Sequence, residues 1–312
     1  MTDAGRPELS IVLTVADGGT ALKRCLNALK AQADAPSMEV LVPFDDTIPE
    51  VANLAAEYPA VTFMDLGTLT GKKPANAFEA HRLLDLRRSA GLHRARADLV
   101  AMIEDRGWPR AGWAREMIKA HRQFTDGVIG GAVESGAESL ARWAIFFLDY
   151  GRYQAPFDKE HPDYVTDTNI CYKRSALWSA EPLWRTAYQE SEVNWHIRDC
   201  GFGLRLTPGP RTVQQRARVG LLAMALERMH WARTFGQARA RGAPFGRRLK
   251  WCLIAPLLPA VLYVRHLRRQ IRIGRHRREF LLATPIMIYL LVFWSIGELI
   301  GTLEPDRKAT SA

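Results

Sequence analysis

Short apolar runs alternate with helically spaced stretches through the first third of this 312-residue chain, and that alternation restricts the fold more than any other feature. Leu9 to Val15 is apolar and runs into Asp17-Gly18-Gly19, after which Leu22, Cys25, Leu26 and Leu29 recur at helical intervals over Ala21 to Gln32. Met38 to Val42 repeats the strand signal. Asp45-Asp46-Thr47 then supplies turn and N-cap chemistry, and Ile48 to Tyr58 is helical until Pro59 closes it. Val61 to Asp65 predicts a third strand. Beyond a Gly/Lys/Pro loop at Gly71 to Pro74, His81 to Ala95 predicts a helix and Asp98 to Ile103 a strand ending in Glu104-Asp105. Strand and helix in alternation imply an α/β fold with a parallel sheet. In such sheets ligands sit at the carboxyl ends of the strands, where Thr14, Asp45 and Glu104-Asp105 fall.

From Gly130 to Trp184 the pattern is less regular, with a helical stretch at Leu140 to Tyr150 and a Pro/Asp-rich loop at Ala155 to Asp163. Glu192 to Cys200 predicts a helix stopped by Gly201, and Phe202 to Leu206 a final short strand. Two apolar segments follow. Trp251 to Val264 holds about fourteen residues and two prolines, too short for a bilayer core that needs about twenty, and reads as interfacial or re-entrant. Phe280 to Leu303 is long enough to span, with Tyr289 and Trp294 inside it and Glu298 as its one charge. Charges near helix ends are tolerated, so Glu298 reads first as a carboxylate near the interface, and second as a buried functional contact.

The formal net charge of +10 is unevenly placed. Between Arg205 and Arg278 basic residues outnumber acidic ones by about seventeen, which points to an anionic surface. Arginines interleaved with Trp251, Leu257 and Leu258 beside a spanning segment favour anionic lipid over nucleic acid. The positive-inside tendency places the arginines before Phe280 on the cytoplasmic face. Cys25, Cys171, Cys200 and Cys252 have neither CxxC nor metal-ligand spacing, which fits a reducing compartment. Met1 to Ser10 carries Asp3, Arg6 and Glu8 rather than the basic-then-apolar order of a secretory signal, so the expectation is an N-terminal domain facing the cytoplasm from the inner membrane.

Among residues able to carry chemistry, Asp45 and Asp46 follow a strand and by themselves are helix caps. At a strand end, however, a carboxylate accepts a hydrogen bond from a nucleobase ring N–H, and Thr14 on the neighbouring strand reaches the same base or its ribose. Glu104 and Asp105 are adjacent carboxylates that repel unless a cation or donor is near, as a metal-bound diphosphate is. Glu190 and Glu192 suit a helix N-terminus. Beside the Asp167-Thr168-Asn169 loop, a carboxylate there also suits a general base.

The order of these pieces resembles the family 2 glycosyltransferases, inverting enzymes with a GT-A fold, over roughly Leu9 to Gly209. The pieces are LSIVLTVADGG…LKRCLNALKAQ, MEVLVPFDD, RSAGLHRARADLVAMIED…WPRAGW, DTNICYKRSAL and QESEVNWHIRDCGFGLRLTPG. The resemblance implies a mostly parallel, Rossmann-like sheet flanked by helices, with C-terminal membrane-associated helices. It implies donor binding by Thr14, Asp45, Asp46, Arg88, Glu104, Asp105 and Arg106, an acceptor-side role for Asn169, and Glu190 as catalytic base. A divalent cation, Mg²⁺ or Mn²⁺, held by Asp105 is part of the pattern. Arg106 stands where the family places its last carboxylate, and Gln214 or Gln215 where many members carry a metal-binding histidine. A guanidinium cannot ligate a cation but does neutralise diphosphate.

The chain is thus expected to comprise a glycosyltransferase domain over 1–215, a basic interfacial segment over 216–278, a transmembrane helix over 279–303 and a short tail over 304–312. The expected function is sugar transfer at the membrane from a nucleotide-diphosphate sugar to a hydroxyl of a lipid-linked or cell-surface glycan, such as a cell-envelope glycan. Nucleic acid is not an expected partner. The competing expectation is a catalytically silent, membrane-bound nucleotide-sugar-binding scaffold.

Overall fold

The structure is a computed structural model that describes residues 5–32, 35–71, 74–75, 77–216, 220–240 and 242–304. The loop predicted at Gly71 to Pro74 lies partly outside these residues, and the tail predicted over 304–312 almost wholly so. The chain divides into two compact units, one formed by residues 1–136 and 153–217, the other by 137–152 and 218–312.

The first unit is built on an eight-stranded sheet. Its strands are β1 (Leu9–Thr14), β2 (Met38–Phe44), β3 (Val61–Asp65), β4 (Leu99–Glu104), β5 (Gly107–Pro109), β6 (Val128–Ser135), β7 (Asn169–Lys173) and β8 (Leu204–Gln214), in the order β3-β2-β1-β4-β7-β6-β8-β5. β3, β2, β1 and β4 are parallel. β1 is wholly buried, as a strand covered on both faces requires, which is why its sequence is a nearly unbroken apolar run. Register sets the functional edge: Thr14 lies opposite Glu104, so β1 and β4 end side by side.

The second half of the sheet departs from the predicted alternation. β7 enters antiparallel between β4 and β6, β5 pairs antiparallel with β8, and β6 and β8 are parallel with an irregularity between Gly131 and Ala132. The predicted short strand at Phe202 to Leu206 is the start of the longer β8, which runs on through Pro208, Gly209 and Pro210. These three residues are the extra length opposite the irregularity in β6, so the prolines sit where no ladder partner is required.

Helices α1 (Gly19–Lys30), α2 (Ala77–Arg94) and α3 (Trp113–Gln123) complete the first part of this unit. Leu22, Cys25, Leu26 and Leu29 of α1 face the core as their spacing predicts, and Ile48 to Tyr58 forms a 3₁₀ turn at Pro49–Leu54 rather than a full helix. α2 is unusual in burying Asp85, Arg87, Arg88 and Ser89 along with Leu83, Leu84 and Leu92. It sits close to the sheet at Gly91, where a Cβ would stand 2.4 Å from Val12 Cγ1 and 3.0 Å from Pro43 Cγ. That approach carries the side chains one turn earlier, Arg87 and Arg88, toward the strand ends. Short helices α4 (Leu140–Asp149), α5 (Arg174–Ser179), α6 (Glu181–Trp184) and α7 (Glu190–Asp199) follow, α4 belonging to the second unit.

The second unit adds α8 (Leu221–Ala240), α9 (Phe245–Ile254), α10 (Leu258–Ile273) and α11 (Arg277–Leu303). Trp251 to Val264, predicted as one segment, is divided between α9 and α10 by a 3₁₀ turn at Ala255–Leu257. α8 and α11 lie against each other in the same direction: a Cβ on Gly297 would meet the Met229 carbonyl oxygen at 2.0 Å, and one on Gly301 the Arg233 carbonyl oxygen at 2.0 Å. Glu298, between these glycines, is buried, paired with Arg239 Nη1 at 2.5 Å and accepting from Trp294 Nε1 at 3.0 Å. Close backbone approach brings α8's arginine within reach, and pairing is what makes a buried carboxylate tolerable.

Gly91→Ala should lower stability by about 1–3 kcal/mol, since Val12 is fully buried and has little room to move. Gly246→Ala, at a helical glycine where a Cβ meets nothing within 4 Å, is the control. Thermal melts of both variants in detergent check this; equal midpoints would mean that α2 is not held by that contact.

Candidate active site

Three loops leave the carboxyl ends of β1, β2 and β4, and each brings a carboxylate to the same edge. After β1 the chain turns through Ala16, Asp17 and Gly18, with Gly18 at φ 65°. This curl aims three successive backbone N–H groups at Asp105: Ala16 N donates to Oδ1 at 2.8 Å, Asp17 N to both oxygens at 3.1 and 3.2 Å, and Gly18 N to Oδ2 at 2.6 Å. Asp105 is fully buried, and burial pushes its carboxyl up to about 6 against the opposing pull of those N–H groups.

Asp45, after β2, is also fully buried. Its Oδ1 accepts from Thr47 N at 3.0 Å, from the Thr47 hydroxyl and from Arg87 Nη2 at 2.9 Å. Burial raises the Asp45 carboxyl, but the bonds from Thr47 and Arg87 outweigh it and hold it below its usual range. Arg87 also donates to Val15 O at 2.9 Å, tying the β1 and β2 loops together. Among the described residues at this edge, two buried acceptors, Asp45 Oδ2 and Thr14 Oγ1, take no hydrogen bond, and the donors Arg87 Nε and Arg88 Nε make none. Asp46 is exposed and accepts from the Thr68 hydroxyl at 2.6 Å.

Arg88, only 2% exposed, gathers the acids behind the β4 end. It stands 3.1 Å from Asp85 Oδ1, 2.8 Å from Asp167 Oδ2 and 3.8 Å from Glu104 Oε2. Burial disfavours its charge, but Asp167, Asp85 and Glu104 together hold the proton more firmly than usual. Glu104 accepts from the Gln214 amide, and burial raises its carboxyl. Asp167 N donates to Glu190 Oε2 at 2.9 Å, which links the network to the N-terminus of α7. Burial first, and then the Asp167 charge, raise Glu190 well above the carboxylate range. Asp85 is pushed up to about 7 by burial and by Asp167, against Arg88.

The structure therefore brings Thr14, Asp45, Arg88, Glu104, Asp105, Arg106 and Glu190 to one side of the sheet, with Asp46 at the exposed rim. Arg106 Nε donates to Asp17 Oδ1 at 2.8 Å and is about a quarter exposed. Asn169 is placed differently. It is fully buried, donating to Ala132 O at 3.0 Å and Pro210 O at 3.1 Å and accepting from Trp113 Nε1 at 2.8 Å. Its amide ties β6, β8 and α3 together at the irregularity in the sheet. Gln215 reaches Arg24 and Gly136 O rather than the acids.

Sequence pattern alone does not single out Arg87, Asp85 or Asp167 as site residues. For Asp85 a signal exists, its i, i+3 spacing from Arg88. Adjacent helix positions diverge by about 100°, which is why Arg87 serves the β2 loop while Arg88 serves β4. Among the described residues no group of three or more His, Cys, Asp or Glu is arranged to hold a metal ion. The acids at the β4 end do not fit a divalent cation as they stand, because Asp105 is saturated by N–H donors and Glu104 lies between an amide and a guanidinium.

No protein-family model and no curated protein sequence matches the chain. Among solved structures it is similar to mannosyltransferase PcManGT from Pyrobaculum calidifontis, determined in complex with GDP-Man and Mn²⁺. The identity is 16%, 96% of this chain and 88% of that one are covered, and the TM-score is 0.55. The fold is that of the GT-A glycosyltransferases. Two further solved structures with lower scores are S. aureus TarS 1-349 in complex with UDP-GlcNAc and GalNAc-T7 with UDP, GalNAc and Mn²⁺. The first has 12% identity, coverage of 95% and 89%, and TM-score 0.48. The second has 12% identity and TM-score 0.46, and the chain, matched over 70% of its own length, spans 45% of that protein. The GT-A fold agrees with the α/β class predicted from sequence, with the antiparallel β7 a feature that the sequence pattern does not reveal.

The raised Asp85 proton affinity has a stability consequence. A carboxyl that binds its proton more tightly in the folded state contributes stability that is fully present below its unfolded value of about 4 and lost as pH rises through about 7. Asp85→Asn lacks that contribution, so the variant should gain on the wild type between about pH 4 and about pH 7, with a slope of at most ~1.4 kcal/mol per pH unit. Melting midpoints of both proteins across that range are the check, and parallel profiles would remove Asp85 as a titrating group.

Proposed function

We propose that this protein is an inverting glycosyltransferase of the family 2 type that uses a nucleotide-diphosphate sugar. The observation that carries the reading is the pair of unsatisfied buried acceptors, Asp45 Oδ2 and Thr14 Oγ1, at adjoining strand ends of a GT-A sheet. Buried polar atoms without partners are rare, and a nucleobase N–H and a ribose hydroxyl are the partners this edge suits. The donor's diphosphate then falls toward the β4 end, and Asp46 lies at the outer rim.

Glu190 is the proposed base. Burial and the Asp167 charge raise its proton affinity, which suits a carboxylate that must take a proton from the acceptor. It takes the proton of the acceptor hydroxyl as that oxygen attacks the anomeric carbon; the bond to the diphosphate breaks on the opposite face and its electron pair leaves with the phosphate oxygen. Arg88 and Asp167 fix the position and charge of Glu190 from behind. Asn169, proposed from sequence on the acceptor side, acts at most by holding the loop before β7. No step is routed through a divalent cation, since the acids present do not fit one.

The second unit supports placing the reaction at a membrane. α11 is long and apolar enough to cross one, with a mean hydropathy of 2.0, and only 39% of its most apolar stretch is buried. Most of the large apolar side chains that are exposed belong to this unit, among them Phe245, Leu249, Leu253, Leu257, Val261 and Val264, which recur at three- and four-residue intervals along α9 and α10. With the arginines of α10 alongside, this is the pattern of a helix lying in an anionic interface. We read α11 as a membrane span, the first unit as cytoplasmic, and the acceptor as a lipid-linked or envelope glycan hydroxyl. A silent scaffold is the second reading, favoured by the saturation of Asp105 alone.

Detergent-solubilised protein should bind and turn over one member of a panel of UDP- and GDP-sugars, and Glu190→Gln should lower transfer by about 10²–10⁴-fold while leaving donor affinity unchanged. Wild-type binding without transfer to any acceptor would favour the scaffold. In membranes, the chain should resist extraction by alkaline carbonate; release into the supernatant would count against the spanning reading of α11.

A further inference from the structure

The β4 end poses a charge problem that the residues themselves answer. A diphosphate leaving group brings at least two negative charges to an edge already lined by Asp17, Glu104 and Asp105. Asp105 cannot recruit a cation without giving up the N–H groups of Ala16, Asp17 and Gly18, whose dipoles present their positive ends where a cation would sit. Glu104 is 6% exposed and lies between the Gln214 amide and the Arg88 guanidinium. The next residue is the cation: Arg106, part-exposed, held 2.8 Å from Asp17 Oδ1 on the same loop whose backbone Asp105 pins.

We infer that Arg106, and not a divalent metal ion, neutralises the diphosphate of the donor, with Asp17 as the carboxylate that holds the guanidinium until phosphate oxygens replace it. This rests on the nucleotide-sugar reading above and deepens it. The exchange is chemically even: the guanidinium–carboxylate pair, made through Arg106 Nε and Asp17 Oδ1, becomes a guanidinium–phosphate pair. During transfer the electron pair of the breaking carbon–oxygen bond stays on the diphosphate, and the fixed positive charge stabilises it without any proton moving to the leaving group. The acceptor's proton goes to Glu190. The pinned loop keeps Asp17 in place, so the guanidinium is oriented before the donor arrives.

Calorimetric titration of full-length, detergent-solubilised protein with GDP and UDP separates the possibilities. Wild-type affinity for the preferred nucleoside diphosphate should agree within about twofold between excess chelator and Mn²⁺, and Arg106→Ala should weaken it by about tenfold or more, in keeping with loss of a charge-assisted bidentate contact. The parent nucleoside, which lacks phosphate, should bind wild type and variant alike, which also shows that the variant is folded. Sugar transfer by the wild type should persist in chelator. Mn²⁺ tightening wild-type diphosphate binding by about tenfold or more would overturn the inference, as would undiminished diphosphate binding by Arg106→Ala. Absence of both nucleoside and diphosphate binding in the wild type would overturn the nucleotide-sugar reading itself, and the inference with it.

Discussion

A single guanidinium, Arg88, links the parts of the first unit that the site draws on. It projects from α2, meets Asp85 on its own helix, reaches Glu104 at the end of β4 and pairs with Asp167 in the segment before β7, whose backbone in turn engages Glu190 at the start of α7. Acids in excess around one buried cation cannot all be ionised without cost, and burial raises the proton affinity of Asp85, Glu104 and Glu190 accordingly. Removing Arg88 would leave those acids uncompensated, a loss on the order of 3–5 kcal/mol for a buried pair. The network is thus a structural tie that also sets how readily Glu190 takes a proton.

Beside it runs a second, independent tie. Asp45 and Arg87 join the β1 and β2 loops, and Asp105 fixes the β1 loop from the β4 side. Both rely on saturating a buried group with several donors, and each leaves a defined remainder: one oxygen of Asp45 and the hydroxyl of Thr14 on one side, the Arg106–Asp17 pair on the other. These remainders suit different chemistries, hydrogen-bond donors in the first case and anionic oxygens in the second. On the proposed reading, a nucleotide carrying a diphosphate would present both along its length.

How far the sequence shows this depends on what each segment must satisfy. β1, β2, β3 and β4 are legible because strands buried on both faces must be apolar throughout. β6 and β7 are not legible in the same way: VIGGAVES carries two glycines where β6 closely approaches its neighbours, and NICYK is short and opens with a buried asparagine. α3 escapes a reading by pattern although its core face, Trp113, Ala114, Met117, Ile118 and His121, follows helical spacing, because the strand-end motif before it dominates. Asn169 shows the limit for site residues. An asparagine beside acids suggests recognition, but its amide is engaged by two carbonyls and an indole in the interior, a pairing that only the fold brings about. Glu298 is the same lesson in the second unit, since its partner Arg239 lies far away in sequence.

The glycine seam between α8 and α11 limits how the second unit can drift. Its spacing is set by backbone atoms, because any Cβ on Gly297 or Gly301 would collide with a carbonyl of the other helix. Side chains away from the seam can exchange one apolar residue for another with little effect on helix position. The two glycines have no such freedom, and neither does the length of chain between them. The exposed faces of α9, α10 and α11 can therefore vary widely in apolar side chain, while the four-residue glycine interval cannot change without parting α8 from α11.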